Sequence, residues 1–474
     1  MFQLRTLLVV VSLAVSAMAQ TSDDIPRMVG AIMTRGGASD FLETLTDTVG
    51  GRLTGSPQDR EAADLILKAL RDAGYDNAHL EEYEFATGWQ RGPISAEVLS
   101  PIKRRLYVGS YAWVPGTPGR VEAPVIDLGT PTTLDFPVPA EKLRGAAVLT
   151  RISTTPTPGA LSYFVLRSQL TKKLAEAGAA AMLIVSDKPN RMVYTSAYGF
   201  YPHGGVPALS IASEDAHLLE RLLAKGPVRI SLDVQNTFGP APAKDRNVVA
   251  DLPGTDPSEM VIMGGHFDSW DPAQGANDNG SGIAQVLEAA RVMKSLGIKP
   301  RSTIRFVFFS GEEEACLGSR AYVTQHRAEL DRIRAVLITD SGAQAPLGFQ
   351  VEGNKDIDPV IQKLLAPLEP LGANRVSHTA DFESDYESFM VEGVPSLSLW
   401  VLEGDYDVRH HTIADTYEKV EPRILSLDTA VMAVAAYSIA NAEKRPVRRL
   451  SPDEVQQMLK ENNLLEEYKA TYGK

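Results

Sequence analysis

The sequence predicts an α/β fold in which a central, mostly parallel mixed sheet is flanked by helices and interrupted by a β-rich insert. Two observations carry this. From Arg246 onward, short apolar runs ("NVVADL", "MVIMGG", "TIRFVFFS", "RAVLITD", "SLSLWVL") alternate with amphipathic stretches, the pattern of strands joined through crossover helices. Over 120–236 the runs "PVIDLG", "GAAVLT", "AAAMLIVS" and "VPALSIA" are separated by Pro/Gly loops and a single helical segment, "LTKKLAEAGA", as expected of a compact β-rich unit. At 474 residues the chain is too long for one simple core, and two or three domains are expected.

Taken in order, the chain opens with "MFQLRTLLVVVSLAVSAMAQ": one positive charge at Arg5, an apolar run from Leu7 to Val15, then Ala17-Met18-Ala19. That is the layout of an export signal over 1–19. The run is shorter than the roughly 18–20 apolar residues a membrane span needs. No later segment reads as a span either, so a secreted or periplasmic chain with no membrane association is expected. A first part of the main domain covers 20–119. Within it, "DREAADLILKALRDAGY" places Ala62, Leu65, Ile66, Ala69 and Leu70 on one helical face and stops at Gly74. "HLEEYEF" alternates like a strand. The insert follows over 120–236, and the main domain resumes over 237–446. There Ile283, Val286, Leu287, Ala290 and Met293 recur at helical spacing. The segment 447–474, starting with Ser/Pro/Asp caps, reads as one C-terminal helix.

The formal charge of -13 excludes a nucleic-acid partner, which requires a basic face. Cys316 is the only cysteine, so stability must come from core size rather than an internal disulfide. Without a His/Asn partner pattern it reads as a packing residue.

In open α/β sheets, functional groups gather beyond the carboxyl ends of strands. Here each such end delivers a His or a carboxylate. His266 follows "MVIMGG", Glu312, Glu313 and Glu314 follow "TIRFVFFSG", Asp340 follows "RAVLIT", and His410 and His411 follow "SLSLWVLEGDYDVR"; Asp278 sits in the first strand–helix loop. Zinc accepts His nitrogen and carboxylate oxygen. Two ions roughly 3.5–4 Å apart need a bridging carboxylate and two further ligands each, which one Asp, two His and two acids supply. The adjacent Glu312 and Glu313 point in different directions at a strand end, so one can bind metal while the other faces a water. Singly, His266 and His411 would read as satisfied structural histidines and Asp340 as a cap; together they read as a metal site.

The motifs His-x-Asp-Ser-Trp-Asp, Gly-Ala-x-Asp-Asn-Gly-Ser-Gly, Gly-Glu-Glu-Glu, Asp-Ser-Gly and His-His-Thr-x-x-Asp-Thr stand in the order found in co-catalytic di-zinc aminopeptidases. "HFDSWDPAQGA" and "GWQRG" resemble the carboxypeptidase Q branch of that family in particular, and the insert resembles a protease-associated domain. The resemblance implies two Zn2+ per chain. Asp278 would bridge them, with His266 and Asp340 on one ion and Glu313 and His411 on the other. It implies Glu312 as general base, and Asp268 as the acid that hydrogen-bonds a liganding imidazole and fixes its tautomer. His410 stands where many relatives carry a Tyr that stabilises the tetrahedral intermediate. Asp385 matches a segment near the substrate, whereas Glu314 reads as a solvated neighbour. Ala315 and Cys316 replace the family's usual glycines, read as loop variation. The implied function is a zinc-dependent exopeptidase, an aminopeptidase or dipeptidase, acting on peptide or dipeptide substrates. The resemblance also implies a homodimer. Two other readings share the scaffold: a glutaminyl cyclase using one zinc, and a receptor-like binding protein that has lost the metals. A phosphoesterase would need a basic phosphate clamp, which the chain lacks.

Overall fold

The computed structural model describes residues 23–134, 138–152, 163–197, 205–402 and 404–473; the expected export signal lies outside them. The main domain is organised by an eight-stranded mixed sheet. Its order is His79–Phe85, Ala243–Leu252, Ser302–Phe309, Asp256–His266, Ile333–Ile338, Ser396–Val401, Pro346–Gln350 and Arg375–Ser377. The four central strands, from Ser302–Phe309 to Ser396–Val401, are parallel, with antiparallel neighbours on either side. Strands covered on both faces read as unbroken apolar runs, and every residue of Ile333–Ile338 is buried.

Period-two alternation divides these strands between two cores. Val261, Met263, Phe306 and Phe308 pack on one face with Ile66, Val286 and Met432 of the helices Pro57–Asp72, Gly282–Ser295 and Pro422–Asn441. Met260, Ile262, Val307 and Phe309 pack on the other with Tyr322 and Phe389 of Leu317–Gln325 and Tyr386–Met390. The helix Pro57–Asp72 is capped at its start. Ser56 accepts a hydrogen bond from the Asp59 N–H at 3.1 Å, and Pro57 occupies the first turn.

Four expectations need correction. The insert holds two long helices, Tyr163–Glu176 and Ser213–Leu223, rather than a single one. The helix Pro422–Asn441 has the length and apolar composition of a membrane span, contrary to the expectation that no later segment does. It lies against the sheet, with 72% of its most apolar stretch buried, because a core helix covered on most sides needs the same composition. The insert begins near Ile94 rather than at 120. Its own eight-stranded sheet runs Arg104–Leu106, Ile94–Ser100, Arg229–Val234, Val121–Asp127, Ala147–Thr150, Ala181–Val185, Ala208–Ile211 and Val108–Ser110. Ile94–Ser100 joins it by pairing with Arg229–Val234, a long-range partnership that local patterning cannot show. The C-terminal segment is two helices, Pro452–Glu461 and Leu465–Tyr472, separated at Asn463, whose φ is 61°.

Candidate metal centre

All four parallel strands deliver a group at their carboxyl ends, as the sequence predicts. His266 is the last residue of Asp256–His266. Glu312 and Glu313 follow Ser302–Phe309, Asp340 follows Ile333–Ile338, and His410 and His411 follow Ser396–Val401 through a short helix, Tyr406–Arg409. Register aligns them, because His266 lies beside Phe309 and Gly264 beside Ile338. Asp278 reaches in from the loop before Gly282–Ser295.

Asp278 lies between the two histidines. Its Oδ1 is 3.4 Å from His266 Nε2, and its Oδ2 is 3.2 Å from His411 Nε2 and 3.4 Å from His410 Nε2. Around His266 Nε2 stand Asp340 Oδ1 at 3.1 Å and Glu312 Oε2 at 3.9 Å, while Glu313 Oε2 is 3.0 Å from His411 Nε2. Two donor groups result, His266/Glu312/Asp340 and Asp278/His410/His411, with the donor atoms of each within 4.8 Å of one another. The structure thus brings together His266, Asp278, Glu312, Glu313, Asp340, His410 and His411. Glu312 stands in the first group and His410 in the second, beside the residues that the resemblance makes ligands.

Asp268 sits behind His266. Its main-chain oxygen is 3.1 Å and its Oδ1 3.4 Å from His266 Nδ1, and its carboxylate accepts the N–H groups of Glu312 and Glu313 at 3.2 and 3.3 Å and the Thr54 hydroxyl at 2.8 Å. One side chain therefore ties two strand ends together. Asp415 does the same for the Asp278 loop, accepting the N–H groups of Asn277 and Asp278 at 2.7 and 3.0 Å.

The electrostatics fit a site built for cations. Burial alone would lower the His266 pKa, yet the Asp340, Asp268 and Asp278 carboxylates raise it well above the usual range. Burial would raise Asp278, but His266 and His411 hold it well below. Glu312 is pushed well up by burial and by Asp340, Glu313 and Asp385, against the pull of His266; burial lifts Glu313 to about 7. His410 is lowered to about 3, by burial and then by His411, and is neutral. Buried carboxylates at this density are costly unless cations neutralise them. Glu313 Oε1, buried without a hydrogen-bond partner, is a further free donor. The nitrogen and oxygen donors suit zinc.

A cavity of about 450 Å³ opens over the centre. Trp113, Arg167 and Tyr194 of the insert wall one side, and Phe382, Glu383 and Glu467 the other. Asp385 is not part of this wall. It is fully buried, because the turn into Tyr386–Met390 points it inward, while its neighbour Ser384 faces the cavity and donates to Asp340 Oδ2 at 2.6 Å. Glu314 is likewise buried rather than solvated, and burial raises its pKa.

Three side chains that hold the site escape the sequence reading: Ser384, Thr54 and Arg52. Arg52, fully buried, donates to the carbonyls of Phe267, Gly50, Gln274 and Gly275 at 2.5–2.9 Å and so frames the Asp278 loop. It sits in the turn-rich "GGRLTGSP", where no periodicity marks it; only a cation isolated among glycines hinted at a carbonyl-binding role.

Comparisons with known proteins show the family and the fold. The family model for Peptidase family M28 matches residues 247–436. Carboxypeptidase Q of Mus musculus is 30% identical over 417 residues, covering 85% of each chain. A crystal structure of a peptidase M28 precursor from Shewanella amazonensis superposes with a TM-score of 0.80 at 30% identity, covering 91% of this chain and 98% of that one. A zinc aminopeptidase from Bacillus subtilis shares the fold, with a TM-score of 0.66 at 21% identity over 87% of this chain and 97% of its own.

Proposed function

Since the chain belongs to peptidase family M28, we propose that it is a zinc-dependent exopeptidase, an aminopeptidase or dipeptidase, that holds two ions. The observation that carries this reading is the division of Asp278: one carboxylate oxygen faces His266, the other His411. His266 and Asp340 would hold one ion, Glu313 and His411 the other, with Asp278 between them. Zinc bound there supplies Lewis acidity, polarising a peptide carbonyl and acidifying a water.

The chain's own groups do the rest. Glu312 takes the proton of the attacking water and returns it to the leaving amine; its buried setting, which favours the protonated form, suits the second half of that exchange. Neutral His410, on the cavity wall, donates toward the carbonyl oxygen as charge develops there. Asp268 fixes His266 with Nε2 turned to the ions. At about 450 Å³ the cavity falls within the range of roughly 300–1,000 Å³ typical of small-ligand sites. Walled by the insert and the C-terminal helices, it takes the end of a peptide rather than its middle. Export of the chain, pairing of two copies and the protease-associated character of the insert belong to the same reading.

Glu312→Gln should lower kcat by about 10²–10⁴-fold and leave the metal content unchanged, as measured by steady-state kinetics on a dipeptide panel and elemental analysis. Loss of metal in this variant would make Glu312 a ligand and overturn its role as base.

A further inference from the structure

The insert does more than wall the cavity. Both metal-facing histidines need their second ring nitrogen held, and the two are held by different domains. His266 Nδ1 meets Asp268, two residues away on the main domain. Among the described residues, the hydrogen-bond partner of His411 Nδ1 comes from the insert, where it lies 3.1 Å from the hydroxyl oxygen of Tyr194. The Tyr194 ring also stacks on the His411 imidazole, with centroids 5.2 Å apart and planes inclined by 30°.

The backbone is held from the same side. His411 has a φ of 58°, in the left-handed region that a side chain beyond Cβ rarely adopts. Its carbonyl accepts the Thr195 N–H at 2.9 Å. Thr195 is in turn fixed through its hydroxyl, 3.2 Å from Arg91, whose guanidinium pairs with Asp271 at 2.8 Å. That last contact ties "GWQRG" to "HFDSWD", so the two segments that gave the sequence its particular resemblance meet at the joint between the domains.

Resting on the two-ion reading above, we infer that Tyr194 is a positioning residue for the metal centre: the insert supplies the hydroxyl that accepts from His411 Nδ1–H and keeps Nε2 free for the ion at Glu313. A hydrogen bond of this kind fixes which ring nitrogen carries the proton, and its loss costs about 10–100-fold in metal affinity. Tyr194→Phe keeps the stacked ring and removes only the acceptor. The insert is therefore part of the machinery, and any movement of it away from the main domain releases one ion in preference to the other.

The test is zinc competition against a chromophoric chelator, with visible absorption of the Co(II)-loaded protein as a second readout, on the full chain, Tyr194→Phe and a control, Tyr107→Phe, on an exposed insert ring. The inference expects two ions in the wild type and the control. In Tyr194→Phe one ion should bind about 10–100-fold more weakly, the other should be unchanged, and the cobalt bands should change. Equal weakening of both ions marks a loosened fold and overturns it. A wild type with two ions and a variant matching it in affinity and spectrum overturns this inference alone. A wild type that binds one ion, with an affinity indifferent to Tyr194, overturns the two-ion reading as well.

Discussion

Ala315 and Cys316 stand directly after the glutamates with φ values of 71° and 57°, where left-handed backbone costs an L-residue roughly 1–2 kcal/mol. The turn is closed by hydrogen bonds from Cys316 N–H to Glu312 O at 2.8 Å and from Leu317 N–H to Gly311 O at 2.7 Å, so the strain is held next to Glu312 and Glu313. The family's usual glycines at these places are thus a backbone requirement that this chain meets with side chains. Read as mere loop variation in the sequence, the substitution is a strained one in the fold. Ala315→Gly should relieve that strain. Set against the roughly 0.5–1 kcal/mol of extra freedom glycine has when unfolded, the net gain is about 0.5–1 kcal/mol, read by denaturant titration. A loss of stability would show that Ala315 packs to more purpose than its backbone costs. The residues that chemistry marks, His266, Asp278, Glu312, Glu313, Asp340 and His411, were legible because each follows an apolar run or a glycine-rich loop. Tyr194, Thr54 and Ser384 were not, because a hydroxyl that serves a ligand from another element leaves no local pattern.

At the scale of elements, the loop and helix that carry Asp278 are packed without slack. A Cβ on Gly282 would lie 2.2 Å from Asn279 Oδ1 and 2.6 Å from the Thr339 carbonyl oxygen, one residue from Asp340. Asn279 itself spans the same gap, accepting the Gly282 N–H at 3.1 Å and donating to Thr339 O at 2.8 Å. Gly282→Ala gains helix propensity of about 1 kcal/mol, but must push the Asp278 loop away from the strand end. We expect a net loss of about 1–3 kcal/mol, the usual cost of overpacking, with reduced metal content; calorimetry and elemental analysis on one sample check both. An alanine variant as stable and as metal-rich as the parent would show the loop to be adaptable. The same packing explains what sequence could and could not delimit. Strand Ile333–Ile338 declared itself as an apolar run, and helix Pro57–Asp72 through its apolar face and the stop at Gly74. The insert's first strands did not, because Ile94–Ser100 alternates like any half-buried strand and its membership is decided by a partner at Arg229–Val234. The break at Asn463 carried a signal in the pair Asn462-Asn463, since Asn tolerates the left-handed backbone that ends a helix, but strong helix formers on either side masked it.

Over the whole molecule, stability is tied to pH away from the metal centre as well. His326 bridges Glu81 on the edge strand, at 2.9 Å, and Glu329, at 3.0 Å, and stacks on Tyr322 with centroids 4.2 Å apart. The Glu81 hydrogen bond raises the His326 pKa above its ordinary 6.5, and Glu81 is lowered below 4.5 because His326 outweighs the burial that would raise it. The histidine's contribution is complete below pH 6.5 and fades as pH rises through its raised value; that of Glu81 is complete above 4.5 and fades as pH falls through its lowered one. Melting temperatures of the wild type should therefore decline above pH 6.5 relative to His326→Gln, which loses the dependence; parallel profiles would remove this link. The account as a whole rests on Asp278 serving two ions at once, and metal content per chain tests that most directly. By inductively coupled plasma mass spectrometry, the wild type should carry two zinc ions per chain and Asp278→Asn should lose both together. A wild type with a single ion, or a variant that sheds one and keeps the other at full occupancy, would contradict it.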